Sequence, residues 1–247
     1  MPYPLVRQCL AAVFLLVAAR VVQAAPPAEA LRRAAPDINP KALKAALSAL
    51  DCAVAAGMTP AQHLGVIDYS LPSTQRRLWV FDLKTRKLLF RELVAHGKNS
   101  GENLATRFSN SPDSLTSSLG PFRTLGAYEG RNGYSLRMAG LEPGVNDRAY
   151  TRALVMHGAQ YVDAKMASKQ GRLGRSWGCP AVRPAVAQKL IDTLKDGQFV
   201  FAWYPDPAWA GANGYAQCPL TSGHEAPDTA GAALASNEPQ VPAGVLP

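Results

Sequence analysis

Apolar and polar positions along the chain fall into two periods, and the change between them marks the elements. Leu43, Leu47, Leu50 and Val54 recur at spacings of four, three and four, the apolar stripe of a helix. Asn39 is a suitable N-cap, Pro40 fits the first helical position and Gly57 ends the run, so the pattern predicts a helix over 41–56. The period then shortens. Gly65 to Ser70 is a short strand candidate, and the runs 77–83 and 87–96 flank a polar turn, Lys84-Thr85-Arg86, predicting a β-hairpin. Leu78 to Phe81 shows no polar alternation, which predicts a strand covered on both faces. From Gly97 to Leu119 the chain is rich in serine and asparagine, and a loop of that length inside a compact domain is usually functional or mobile.

Gly120 to Thr124 leads into a second hairpin across Tyr128–Arg137, with Asn132-Gly133 as its two-residue turn. Leu141 to Asp147 reads as a Gly/Pro/Asn loop. Ala153 to Met156 is an apolar strand that ends at His157, and groups just past strand ends are well placed for chemistry. Residues 184–195 are helical, with Val186, Ala187, Leu190, Ile191 and Leu194 on one face, and 198–204 form a last strand. The expected fold is one mainly β domain over 40–205, with an N-terminal helix, one or more peripheral helices and no internal repeat.

Both ends differ from this middle. Arg7, the apolar run Leu10–Ala19 and the small-residue site Val22-Gln23-Ala24 read as a secretory signal peptide over 1–24, since Arg20 cuts the run short of a membrane span. Residues 25–39 read as a flexible lead-in, and 206–247, rich in Pro and Ala without periodicity, as a disordered tail. The expected location is therefore the periplasm or the secreted cell envelope, with no membrane attachment after cleavage. Removing 1–24 takes two arginines and no acids from a net charge of +8, leaving +6. That modest excess suits an acidic envelope partner, and an exported protein seldom meets nucleic acid. Of the cysteines, Cys52, Cys179 and Cys218 remain, an odd number in an oxidising compartment, so one is left over. Cys52 and Cys218 are either a disulfide or two buried thiols; both readings stay open. No metal-ligand spacing occurs, and no cofactor is expected.

The chemistry concentrates in residues 171–182, GRLGRSWGCPAV, with His157-Gly158 upstream. A cysteine between glycine and proline, after Arg172, Arg175 and Ser176, is poorly suited to core packing, and positive charge favours a thiolate. Cys179 reads as a nucleophile with His157 as its base. Backbone N–H groups of Trp177, Gly178 and Cys179 are the candidate oxyanion hole, and Trp177 would wall the cleft. His96-Gly97 is a rival base. Arg123, Arg137, Arg152, Arg172 and Arg175 include candidate carboxylate binders, with Arg172 and Arg175 favoured by adjacency alone.

These residues resemble a known family. His157-Gly158 followed by Ser176-Trp177-Gly178-Cys179 is similar to the active-site signature of the L,D-transpeptidases of YkuD type. The longer string from Phe108 to Val182 resembles the murein L,D-transpeptidase catalytic-domain subgroup, the likeness extending over roughly 64–204. The resemblance implies a β-sandwich-like catalytic domain and a cysteine acyltransferase that acts on peptidoglycan stem peptides as donor and acceptor. Its chemistry would release D-alanine and form 3-3 crosslinks, with carbapenems acylating Cys179. By position, Cys179 matches the nucleophile, His157 the base, Ser176 and Gly178 the small residues of the motif, and Gly158 the carbonyl that orients the histidine. Two positions depart from better-known members: Trp177 stands where they have histidine, and Ala181 where they have arginine or asparagine. The substrate-orienting arginine must then come from elsewhere, Arg175 or Arg183, and a longer gap before Ser176 leaves room for a lid with Tyr161 and Lys165. An L,D-carboxypeptidase at the same site, a non-catalytic wall-binding module and a sortase-like enzyme are the alternatives; the last lacks its Thr-Leu-x-Thr-Cys pattern. Oligomeric state is not legible.

Overall fold

The structure, a computed structural model, describes residues 28–205. The expected signal peptide, the tail and Cys218 lie outside them. The described residues begin with α1 (Ala28–Ala34), which falls within the stretch expected to be flexible. Leu31, Ala35 and Ile38 are buried there, because they extend the apolar face that follows them in sequence. An Arg91–Asp37 ion pair of 2.6 Å ties this segment to the sheet. The second helix, α2 (Pro40–Ala55), forms as its spacing predicts, and the Asn39 side chain accepts a hydrogen bond from the Lys41 N–H. Cys52, on its buried face, is disulfide-bonded.

Strand β1 (His63–Asp68) is followed by the expected hairpin of β2 (Leu78–Asp82) and β3 (Lys87–Glu92). The second half of that run does not stay in the hairpin. It breaks at Leu93, and β4 (Val94–Ala95) pairs instead with β8 (Ala181–Val182). Between them come β5 (Gly120–Gly130), β6 (Gly133–Gly140) and β7 (Val155–Gly158), then a helix the sequence reading missed, α3 (Ala164–Gln170). Helix α4 (Pro184–Leu194) and β9 (Phe199–Trp203) complete the described chain close to their expected bounds.

Among the described residues, nine strands form one sheet in the order β3-β2-β1-β9-β5-β6-β7-β8-β4. Its first and last members, β3 and β4, are joined through Leu93 alone, so the sheet curls until it nearly closes. The two layers expected of a sandwich are two parts of this single sheet. β1–β9 and β7–β8 are parallel, and the other ladders are antiparallel.

The central strands bury both faces, as the unbroken Leu78–Phe81 run predicts. Trp79, Phe81, Phe199 and Phe201 pack against α1 and α2, while Leu78, Val80, Val200 and Ala202 face the inner core with Leu136, Met156 and the α4 residues Leu190, Ile191 and Leu194. Full burial of side chains this size contributes about 1.5–3 kcal/mol each, enough to make the sheet a rigid platform. The turn at the start of β8 and the end of β7 are carried on that platform.

Candidate active site

Cys179 sits at the tip of a turn that is held from two directions. The Ser176 N–H donates to the His96 carbonyl (3.0 Å), and the Lys98 N–H donates to the Ser176 carbonyl (2.7 Å), which ties the turn to the chain leaving β4. Inside the turn, the Ser176 hydroxyl donates to the Cys179 carbonyl (2.6 Å) and accepts from the Gly178 N–H (3.1 Å). From the other side the Ser117 hydroxyl donates to the Gly178 carbonyl (3.0 Å) and accepts from the Gly97 N–H (3.0 Å). Gly178 has φ +127°, and a Cβ there would lie 2.7 Å from the Thr116 carbonyl oxygen, so only glycine fits. Because its N–H is turned inward onto Ser176, Gly178 does not offer the oxyanion-hole donor expected of it.

His157 reaches the same place from β7. It lies in parallel register with Ala181, two residues past Cys179. The Cys179 sulfur lies 3.5 Å from the Val155 N–H and 3.8 Å from the Ala153 carbonyl. Thus the thiol rests on the strand just upstream of the imidazole. Nδ1 of His157 donates to the Gly158 carbonyl (3.0 Å), which fixes the tautomer with Nε2 as the free base. Gly158 also admits α4, since a Cβ there would lie 2.9 Å from that of Ala187. Burial pulls the His157 imidazole below its usual value, opposed by the Gly158 carbonyl. Burial likewise pushes the Cys179 thiol up, opposed by the Val155 N–H, the Arg152 charge and its own N–H. Both shifts favour a neutral thiol beside a neutral imidazole.

The remaining candidates separate clearly. Arg172 and Arg175 share one exposed carboxylate, Glu102, at 2.9 and 2.6 Å, and Arg175 also donates to the Lys98 and Gly101 carbonyls. Arg183 grips Glu92 through two bonds of 2.8 and 2.7 Å, joining β8 to the end of β3. Tyr161 packs against Gly174, where a Cβ would come within 2.3 Å of the tyrosine Cβ. Its hydroxyl is pushed up first by burial and then by the Cys179 charge. Trp177 is half-exposed at the mouth, with the Lys98 ammonium 5.9 Å from its ring centroid. Lys165 lies on α3, whose N-cap is Asp163.

His96, the rival base, is fully buried. It accepts from Arg77 at Nδ1 (2.7 Å) and lies 3.3 Å from the Gly101 carbonyl at Nε2; burial and then the Arg77 charge pull it down to about 4. It braces the loop after β4 and is not open to a substrate. Arg152, one of the candidate carboxylate binders but not among those favoured by adjacency, holds no carboxylate; from the turn before β7 its guanidinium binds the loop whose Thr116 carbonyl packs against Gly178. No local signal singles it out, because its partners lie 34–43 residues upstream. Among the described residues no group of three His, Cys, Asp or Glu is placed to hold a metal ion, and no helix is long and apolar enough to cross a membrane.

Comparison with known proteins adds a family. A family model described as L,D-transpeptidase catalytic domain matches residues 34–203. No curated protein matches the chain. Similar solved structures include an L,D-transpeptidase from Mycobacterium smegmatis, with 16% identity, TM-score 0.38, 59% of this chain and 60% of that one covered. Another is an LD transpeptidase, LdtMt1, in complex with imipenem (15%, 0.36, 57% and 59%). A third is L,D-transpeptidase 1 of Mycobacterium tuberculosis (13%, 0.33, 58% and 62%). In each, the shared part is about three-fifths of the other protein's own length. Membership rests on the family model and not on these partial overlaps.

Proposed function

We propose a function on one premise: the chain belongs to the family of L,D-transpeptidase catalytic domains. It is an exported cysteine L,D-transpeptidase acting on peptidoglycan stem peptides. The observation that carries this reading is the convergence of Cys179 and His157 across the β7–β8 ladder, with the base tautomer set by the Gly158 carbonyl.

Nε2 of His157 takes the thiol proton as the sulfur attacks the carbonyl carbon of the diamino-acid residue preceding the terminal D-alanine. The tetrahedral intermediate collapses with cleavage of the C–N bond. His157 returns the proton to the leaving amine, D-alanine departs, and a thioester remains on Cys179. An amine of a neighbouring stem, deprotonated by His157, attacks the thioester; the new amide is a 3-3 crosslink and the thiol is restored. Water in place of the amine gives a tripeptide, the carboxypeptidase outcome. Ser176 acts through the turn rather than on the substrate, because its hydroxyl is committed to Gly178 and Cys179.

Purified disaccharide-tetrapeptide, incubated with the protein and analysed by mass, tests this. The reading expects a crosslinked dimer with release of D-alanine, abolished by Cys179→Ala. Tripeptide alone assigns a carboxypeptidase. Binding without turnover, unchanged by Cys179→Ala, would leave a wall-binding module in its place.

A further inference from the structure

Four of the five guanidinium N–H groups of Arg152 are spent on one segment of the long polar loop. Nη1 donates to the Ser109 carbonyl (2.6 Å) and the Ser118 hydroxyl (2.5 Å); Nη2 donates to the Ser114 hydroxyl (3.0 Å) and the Thr116 carbonyl (2.9 Å). The fifth, Nε–H, is buried without a partner. Every one of these acceptors is neutral. Arg172, Arg175 and Arg183 each hold a carboxylate, whereas among the described residues no carboxylate lies within ion-pair distance of Arg152. A half-buried cation without an anion is unfavourable unless something nearby becomes negative.

The nearby group is the nucleophile. The Thr116 carbonyl that accepts from Arg152 is the atom packed against Gly178, and Ser117 beside it holds the Gly178 carbonyl. The residue after Arg152 is Ala153, held at φ +52°, whose carbonyl lies 3.8 Å from the Cys179 sulfur. We propose that Arg152 is the positioning residue of this site: its carboxylate-free guanidinium is the counterion of the Cys179 thiolate, and its bonds to Ser114, Thr116 and Ser118 hold the 114–118 segment that fixes the Gly178–Cys179 peptide. This rests on Cys179 being the nucleophile. When the thiol proton moves to His157, positive charge is already in place, so the ion pair needs no rearrangement to form.

The surroundings agree in sign. Burial raises the Cys179 thiol, and the Arg152 charge pulls it back down. Tyr69 and Tyr161, on the chain after β1 and after β7, also interact with the Cys179 charge, and both are held protonated chiefly by burial. His157 is neutral, and Asp113, exposed on the loop, is the acid that acts on Arg152. Arg152 is thus the cation that offsets burial of the sulfur.

The test reads thiolate formation directly and needs no turnover. Alkylation of Cys179 by iodoacetamide, in which the thiolate displaces iodide, is followed by intact mass from pH 5 to 10. For Arg152→Met the midpoint should rise by about one pH unit, a roughly tenfold slower reaction at pH 7. Arg152→Lys, which keeps the charge, should stay close to wild type, and Ser118→Ala, which removes a tether and no charge, should not move the midpoint. An unchanged midpoint in Arg152→Met, or an equal shift in Ser118→Ala, overturns the counterion role. If Arg152→Met does not fold, Asp113→Asn decides: it should lower the midpoint by a few tenths, and no change there overturns the proposal. Turnover that survives Cys179→Ala would sink the nucleophile reading instead, and leaves these alkylation profiles untouched.

Discussion

At the scale of single residues, the proposed chemistry depends on a thiol and an imidazole that are both neutral at rest. The folded His157 pKa lies below 6.5 because burial disfavours its cation, so the base stays competent as pH falls past 6.5. The acid limb of kcat/KM should therefore have its midpoint below 6.5, and a midpoint above 7 in the pH–rate profile would contradict the neutral pair. Replacing His157 with Gln should lower kcat/KM by about 10²–10⁴ with little change in thermal stability, measured by turnover and melting in parallel. Cys179, His157, Ser176 and Gly178 were legible because their identities and spacing form a motif. Arg152 stood among five candidate arginines and was not singled out, since its importance comes from hydrogen bonds to Ser109, Ser114, Thr116 and Ser118 that exist only in the folded chain. The same holds for Arg172 and Arg175: adjacency to the motif suggested carboxylate binding, and the carboxylate they hold is Glu102 of the chain itself.

At the scale of elements, period and turn chemistry located α2, α4 and both hairpins, because each buries one continuous face or carries a strong turn signal, although the second turn falls at Arg131-Asn132, one residue before the expected Asn132-Gly133. Helix α1 escaped because seven residues dense in Ala and Arg have no stripe of their own; Leu31 gains its burial only against α2 and the sheet. Helix α3 did leave a signal, Asp163 as N-cap and Gly171 in the left-handed region as C-cap, but its short span hides between them. The break at Leu93 was not legible, since 87–96 is one unbroken strand-like run and only β8 draws its end away. That junction is braced by the Arg183–Glu92 pair, with Glu92 almost fully buried. Arg183→Ala strands a buried carboxylate and should cost about 3 kcal/mol in chemical denaturation, whereas pairing it with Glu92→Gln should restore most of the loss. Gly178→Ala should abolish turnover while leaving the domain folded, as judged by circular dichroism, because its Cβ would meet the Thr116 carbonyl.

At the scale of the whole molecule, a nearly closed sheet brings together residues far apart in sequence, and strand order of this kind cannot be read from local pattern. One consequence of that packing is Glu142, buried with neither carboxylate oxygen partnered and pushed up to about 8. A folded pKa above the unfolded one means its share of stability is full below pH 4.5 and is lost as pH rises through 8. Glu142→Gln should therefore gain stability over wild type progressively between pH 4.5 and 8, and a pH-independent difference in melting would contradict it. Acyl transfer through Cys179 is tested by intact mass of the protein quenched during turnover of disaccharide-tetrapeptide. A covalent adduct of the substrate less D-alanine is expected, mapped to the peptide containing Cys179 and absent in Cys179→Ala. Release of D-alanine with no adduct, undiminished in Cys179→Ala, would contradict it.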